Sequence, residues 1–372
     1  MRSGIGLLYI ALTFAALLTP CGTIGADASL ERFEFHEEKM GVPVSVTLYA
    51  KDAREAESAA EAVWRRFDEL NATLSDWDPE SEIIQLCRRI DETGERTQPS
   101  ADLRRALEES RLYCELTGGA FDPTVSSVVK LWRRSRYFHE RPPEKALDQA
   151  KKRIGLNVWD INADGVKTER GVRFDVGGIA KGIALDDALA VLRARGITSA
   201  LINASGDLRI GDPPPGRAGW RVGVASLGEE PAFYGDFSNV GIASSGDANR
   251  YVEIDGARYS HIIDARTGEP LTRRCVAAVL APTATTADAL ASALCVLGGE
   301  EFLKAVEAVK REIPGVSERF EYALLQVVDA SSEPPYEESE IATYASPGFA
   351  RMLNASREVD KESEVGETTE SE

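Results

Sequence analysis

The sequence predicts an α+β fold, with mixed or antiparallel sheets flanked by helices and two lobes that hold a site between them. Three observations carry this expectation. Long segments space their apolar residues at helical period, and many short ones alternate apolar with polar residues and bend at Gly or Asp. The two kinds follow one another without the regular strand–helix–strand alternation of a parallel sheet, and without an internal repeat.

The elements follow in order. ERFEFHEEKMGVPVSVTLYA alternates around Met40-Gly41 and reads as two strands joined by a turn. Ala53 to Leu74 is an amphipathic helix. LSDWDPESEIIQL turns at Asp78-Pro79, with Ser81 capping a short helix and Trp77 left in the loop, as a lid on the core or as a stacking platform. A helix from Ser100 to Leu116, capped by Ser100, stops at Thr117-Gly118-Gly119. AFDPTV is then an abrupt turn in which Asp122 either initiates the turn or accepts a hydrogen bond from a ligand amine. Arg133 to Lys145 is polar and carries two prolines, so it is expected to be a surface loop with a solvated His139.

GVRF, residues 171–174, reads as a strand, and the helix that ends at Gly196 follows the DVGGIAKGIALD stretch. The Gly177-Gly178 pair would let backbone approach a ligand with no Cβ in the way. Exposed amides at that helix start favour an anion, and Lys181 suits a phosphate beside it; the plainer alternative is a tight turn with a surface lysine. Strands and turns continue through ALINASGDLRIGD and RYSHIIDARTGEP. TTADALASALCVLGG is a helix capped by Thr286 and closed at Gly298-Gly299, Phe302 to Lys310 is another, and Tyr322 to Val328 is the last buried strand.

Composition limits the function. The 43% hydrophobic content of 372 residues supports one large domain or two that share a core, and excludes a disordered chain. A net charge of -18 repels a nucleic-acid backbone over most of the surface, so no nucleic-acid partner is expected. Residues 1–28 have the plan of a secretory signal: Arg2, an apolar run from Ile5 to Leu18 that is too short to span a bilayer, then Ala26 and Ala28 as a cleavage site. Cys21 offers a second reading, a lipid anchor, although Pro20 departs from the small residue usual before one. Either way the domain, residues 29–354, is expected to be exported to the periplasm, held at the inner membrane if Cys21 carries lipid. Residues 355–372 form an acidic tail, expected to be disordered. Cys87, Cys114, Cys275 and Cys295 fit no zinc spacing and read as buried thiols, with a single disulfide as the alternative.

Two constellations could carry chemistry. Asp288 and Ser292 stand at i and i+4 near a helix start, so their oxygens share one face. With a carbonyl from a glycine turn they suit Mg²⁺, while an Asp in a first turn also serves the helix dipole without any metal. His261 ends a strand pattern with Asp264 just beyond, a candidate general base or a structural histidine. No G-x-S-x-G or HExxH occurs, so a Ser–His–Asp hydrolase is unsupported.

In order along the chain, Met40-Gly41, LSDWDPESEI, TGGAFDPTV, DVGGIAKGIALD, NASGDL, ASSGDANRY, SHIIDARTGEP and ADALASAL resemble the periplasmic FAD:protein FMN transferases, the ApbE family. The resemblance runs from about Phe33 to Leu353, and its specificity lies in the combination of DVGGIAKG, SHIID and ADALAS. It implies an ApbE-like two-lobed fold and a Mg²⁺-dependent enzyme. That enzyme would join FMN from FAD to a Thr or Ser of a partner protein, a membrane electron-transfer subunit, and release AMP. By that likeness Met40, Trp77, Ala120, Phe121, Asp122, Asp175 and Lys181 would line the FAD site, with Ile262 or Ile263 near the flavin. The Gly178 carbonyl, Asp288 and Ser292 would hold the metal, with His261 and Asp288 as the catalytic residues. The chain departs from the common pattern at Ser292, where Thr is usual, at Ser205 for Gly, at Ala265 for Pro and at Trp77 for a frequent Tyr. Two other readings fit the same residues: an FAD pyrophosphatase that yields FMN and AMP, and a periplasmic flavin-binding protein without chemistry.

Overall fold

The computed structural model describes residues 30–224, 227, 231–246, 250–313, 315–316, 319–328 and 340–353. The signal segment, the acidic tail and residues 247–249 of the ASSGDANRY stretch lie outside the described residues.

One eight-stranded sheet organises the chain, in the order β1 (Glu31–Lys39), β2 (Val42–Ala50), β5 (Ala200–Ala204), β6 (Asp207–Ile210), β9 (Val240–Gly246), β14 (Cys275–Ala281), β15 (Glu321–Val327) and β16 (Ile341–Ala345). Outside it, β3 (Trp159–Asn162) pairs with β4 (Gly165–Thr168), and β7 (Trp220–Val224) with β8 (Phe233–Phe237). Every neighbouring pair is antiparallel, so of the mixed or antiparallel expectation the antiparallel form holds. The first hairpin turns at Met40 and Gly41, both at positive φ (53° and 73°), which matches the twist of its strands. Strand alternation builds two cores, one on each face. Cys275, Ala277, Val279 and Ala281 of β14 join the main core, whereas Ala278 and Leu280 face a second cluster with Phe233 and Phe349. On β6, Leu208 and Ile210 take that second face and leave Asp207 and Arg209 on the first.

Helices α1 (Ala53–Leu74), α6 (Ala180–Arg193) and α7 (Ala284–Glu312) pack on the first face. A short unit on the same side comprises α4 (Ser126–Phe138), α5 (Glu144–Lys151) and the strand pairs β10 (Tyr251–Ile254) with β11 (Ala257–Ser260) and β12 (Ile263–Asp264) with β13 (Glu269–Pro270). It has its own apolar cluster around Val128, Trp132, Tyr259 and Ile263, and forms the smaller lobe.

Several local expectations change. Arg133 to Lys145 is not one loop: α4 runs to Phe138 because Val128, Trp132 and Ser135 make a buried stripe at helical spacing, with the Trp132 indole donating to the Gly268 carbonyl at 3.0 Å. Only residues 139–143 are irregular there, and His139 is exposed in a left-handed cap (φ 55°). Residues 172–176 are not a strand but extended chain anchored by Asp175 N donating to the Pro123 carbonyl at 2.7 Å. The cap of α7 is Thr283, whose hydroxyl accepts from Thr286 N, so Thr286 lies inside the first turn. That helix bends at Gly298 (φ 71°), where two helices were expected. Ser81 stands at the start of α2 (Glu82–Thr93) but donates to the Ser75 carbonyl instead of capping the helix. Ser100 does cap α3 (Ala101–Leu116), and β16 follows the strand expected to be last. The four described cysteines are buried and free of disulfides.

Candidate active site

A cavity of about 850 Å³ opens between the main body and the smaller lobe. Its wall includes every predicted site residue except Met40, whose side chain packs against the main core while Val42, two residues on, faces the cavity.

The centre of the cavity is a charge cluster. Lys181, in the first turn of α6, donates to Asp207 and to Asp288 Oδ1 at 3.4 Å. Asp288 Oδ2 accepts from Gly182 N at 3.0 Å, and Asp207 Oδ1 from Ser244 N at 3.1 Å. Burial pushes the Asp288 carboxyl up to about 6, assisted by Asp207 and opposed by Lys181. For Lys181, burial pulls the ammonium down, but Asp288 and Asp207 more than offset it and its pKa ends above the ordinary value. Two carboxylates around one ammonium leave the cluster one positive charge short.

The glycine stretch serves close approach. Neither Gly177 nor Gly178 has positive φ. A Cβ at Gly178 would lie 3.2 Å from the Phe121 ring and 3.7 Å from Ser292 Oγ, and one at Gly182 would lie 2.5 Å from the Ala284 carbonyl oxygen. Ser292 Oγ sits 3.4 Å from Ser245 Oγ. Gly178 backbone, Ser292 hydroxyl and Asp288 carboxylate therefore gather hard oxygen donors at one place. Among the described residues no group of three or more His, Cys, Asp or Glu gathers as a metal cage. A donor set with so few carboxylates fits a cation that keeps waters and takes further oxygens from phosphate, as Mg²⁺ does, and it does not fit zinc.

One carboxylate fixes the frame of this cluster. Asp186 accepts from Ala284 N (3.0 Å), Thr285 N (2.9 Å) and Thr285 Oγ1 (2.7 Å), and pairs with Arg209 Nε at 2.8 Å. It thus ties α6 to the start of α7 and to β6, which sets Asp288 opposite Lys181.

The outer wall is cationic and aromatic. Trp77 is 73% exposed, so it is no lid on the core; the Arg133 guanidinium stacks 4.0 Å above its ring. Arg133 also donates to Asp76 (2.7 Å) and Asp175 (3.4 Å). Asp175 Oδ1 accepts from Gly177 N at 3.0 Å, and burial, with Asp76 adding to it, raises its pKa. Asp122 initiates its turn by accepting from Thr124 N and Oγ1 at 2.8 and 2.5 Å, and burial raises its pKa too. Arg136 lines the cavity, its pKa lowered by burial and by the neighbouring Arg133 and Arg250. His261, on the smaller lobe beside Ile262, has Nδ1 3.2 Å from the Arg250 carbonyl oxygen. The Asp264 carboxylate is engaged by Arg266, at 2.8 Å from Nη2 and 2.9 Å from Nε.

Two further residues complete the site, Asp207 and Arg133. For Asp207 the signal is the alternation of Asp207 and Arg209 with Leu208 and Ile210, which puts both charges on one face. For Arg133 it is the helical stripe of Val128, Trp132 and Ser135, which carries the residue on a helix and not on a loop.

Residues 40–316 match the model of the ApbE family. A FAD:protein FMN transferase of Treponema pallidum is 31% identical over 326 residues, covering 82% of this chain and 88% of the relative. One of Haemophilus influenzae is 28% identical over 324 residues, covering 82% and 89%. Among solved structures, the ApbE protein of Thermotoga maritima superposes with a TM-score of 0.71 at 28% identity, over 87% of this chain and 99% of that one. The flavin transferase ApbE of Vibrio cholerae gives 0.72 at 22% identity over 87% and 99%, a likeness of fold.

Proposed function

The chain belongs to the ApbE family, and from that premise we propose that it transfers FMN from FAD to a Thr or Ser hydroxyl of a partner protein and releases AMP, with Mg²⁺ as its cofactor. The observation that carries the reading is the Lys181–Asp207–Asp288 cluster beside Ser292 and Gly178, one positive charge short, in the same cavity as Trp77, Asp122, Asp175 and His261.

The Gly178 carbonyl, Asp288 and Ser292 would hold the metal, which when bound supplies Lewis-acid polarisation and charge neutralisation at a pyrophosphate. Lys181, fixed between two carboxylates and kept cationic by them, meets the phosphates of FAD in a protein whose overall charge would repel them. Trp77 and Arg133 present a flat, cationic wall for a ring system, and Phe121, Asp122, Asp175 and Ile262 orient the rest of the dinucleotide. The acceptor oxygen attacks the phosphorus that bears the riboflavin moiety, and the bond from that phosphorus to the bridging oxygen breaks. The electron pair leaves with AMP, and the hydroxyl proton passes to His261. With Nδ1–H donating to the Arg250 carbonyl, Nε2 of His261 is the basic nitrogen.

The apolar run before residue 29 supports export to the periplasm, where a lipid on Cys21 would tether the chain to the membrane. A membrane electron-transfer subunit is the acceptor class that suits such a place. The test incubates the chain with FAD, Mg²⁺ and Thr-bearing candidate acceptors and follows acceptor mass and AMP. An FMN adduct is expected; AMP and FMN without adduct would assign a pyrophosphatase, and neither product would remove both activities.

A further inference from the structure

Beyond the Trp77–Arg133 stack the catalytic cavity continues along the surface. A second cavity of about 520 Å³ shares Trp77 and Arg133 with the catalytic one, and a third of about 480 Å³ shares Lys130 and Arg173 with the second. The three form one track that leads from the charge cluster over the α2–α4 side of the molecule. Its charged lining past the stack is Arg88, Lys130, Arg153 and Arg173, while the carboxylate that lines it, Asp76, is bound by Arg133. Arg173 is balanced by Asp91 at 2.7 Å, and Arg88 donates to the Pro79 carbonyl. Lys130 and Arg153 pair with no carboxylate among the described residues. The floor is apolar: Ile84 is half-buried at its surface, with Ile83 and Phe174 buried beneath.

Such a track runs against the composition of a chain with a net charge of -18. We propose that it is the docking groove for an acidic segment of the acceptor polypeptide, next to the Thr or Ser that receives FMN. The inference rests on the transferase reading. That reaction requires a macromolecular hydroxyl to reach the cavity while the rest of its chain lies outside, and the track leaves the cavity in the open. Excess cations along it complement Asp and Glu, and the apolar floor suits the side chains between them. A nucleic acid would meet the acidic remainder of the surface.

The probe is a fluorescein-labelled Thr peptide of about 15 residues bearing several Asp, with an Asn counterpart, titrated against the full chain by fluorescence anisotropy. The wild type is expected to bind the Asp peptide at least about tenfold more tightly than the Asn peptide. Arg88→Glu/Lys130→Glu should lose about tenfold for the Asp peptide while the KM for FAD stays unchanged. If charge reversal perturbs folding, Arg88→Gln/Lys130→Gln should give a smaller loss of the same kind. Equal affinities for the two peptides, or no change in either variant, would overturn the proposal. So would Lys130-dependent retention of phosphatidylglycerol vesicles without peptide binding, which assigns the track to lipid. Peptide binding that appears only when the chain is shortened after Asn354 would give the track to the chain's own acidic segment. An adduct on a protein acceptor whose KM the double variant leaves unmoved removes the groove alone. Asp-dependent peptide binding with no adduct on any acceptor removes the transferase reading instead.

Discussion

Gly182→Ala tests whether the approach of two helices sets the charge cluster. In an isolated helix the change would add about 1 kcal/mol of stability, because Ala is the better helix former. Here the new Cβ would fall 2.5 Å from the Ala284 carbonyl oxygen, 2.6 Å from Thr285 Cα and 2.7 Å from Ala284 C, all backbone atoms that no rotamer change can move. Ordinary contact requires roughly 3.4 Å or more, so α6 and the start of α7 must separate by most of 1 Å, at an overpacking cost of about 2–3 kcal/mol. The net expectation is a loss of about 1–2 kcal/mol, or about 1.5–3 °C in Tm for a domain of this size. The same displacement stretches the 3.0 Å bond from Gly182 N to Asp288 Oδ2 and misplaces the carboxylate, so turnover should fall about a hundredfold. Differential scanning calorimetry and AMP release measured on one preparation provide both readouts. A Tm equal to or above wild type, with turnover within twofold, would refute the argument that contact across this interface sets the site.

Further outcomes follow from other residues. Asp288→Ala should abolish turnover, by about a thousandfold or more, and an excess of chelator should do the same to wild type; turnover that survives the chelator would discard the metal assignment. Asp186→Ala removes a carboxylate that accepts three bonds from the start of α7 and should cost about 2–4 kcal/mol in denaturant unfolding, whereas a loss below about 0.5 kcal/mol would contradict its bridging role. Burial, with Asp186 and Asp187 adding to it and Arg105 opposing, raises Glu109 from 4.5 to about 7. The folded chain therefore holds a proton that the unfolded chain releases, and stability falls as pH rises from about 4.5 to 7 and stays lower above it. Glu109→Gln should recover about 1–2 kcal/mol at pH 8 and nothing at pH 4, because water reaches part of the carboxyl and screens it; a variant with the same pH profile as wild type would exclude this source.

Much of the site was legible because its parts are local in sequence. The i, i+4 spacing places Asp288 and Ser292 on one face whatever surrounds them, and Met40-Gly41 between alternating strands specifies a tight hairpin. Lys181 and the glycines before it mark a crowded helix start, although the reason for Gly178 and Gly182 lies in Phe121, Ala284 and Thr285, which are remote in the chain. What stayed hidden depends on tertiary partners. Nothing near Asp207 reveals that Lys181 will donate to it, and the stacking of Arg133 on Trp77 needs α4 to be docked by Trp132 first. Extended segments such as Val172 to Val176 misled for the opposite reason: an apolar alternation reads as a strand, yet here Val172 N donates to the Glu169 carbonyl and Asp175 N to the Pro123 carbonyl, with no ladder.

The Asp186 carboxylate closes three elements with one group, and that makes their loss all-or-none. If the bonds to Ala284, Thr285 and Arg209 broke independently, the cluster could loosen by degrees and activity would fade well below the melting point. With a shared acceptor, releasing one partner frees the carboxylate to water and weakens the other two. Helix α6, the head of α7 and β6 then persist together or separate together. Heat inactivation is accordingly expected to coincide with the unfolding of the main body, and inactivation that runs well ahead of the calorimetric transition would contradict this coupling.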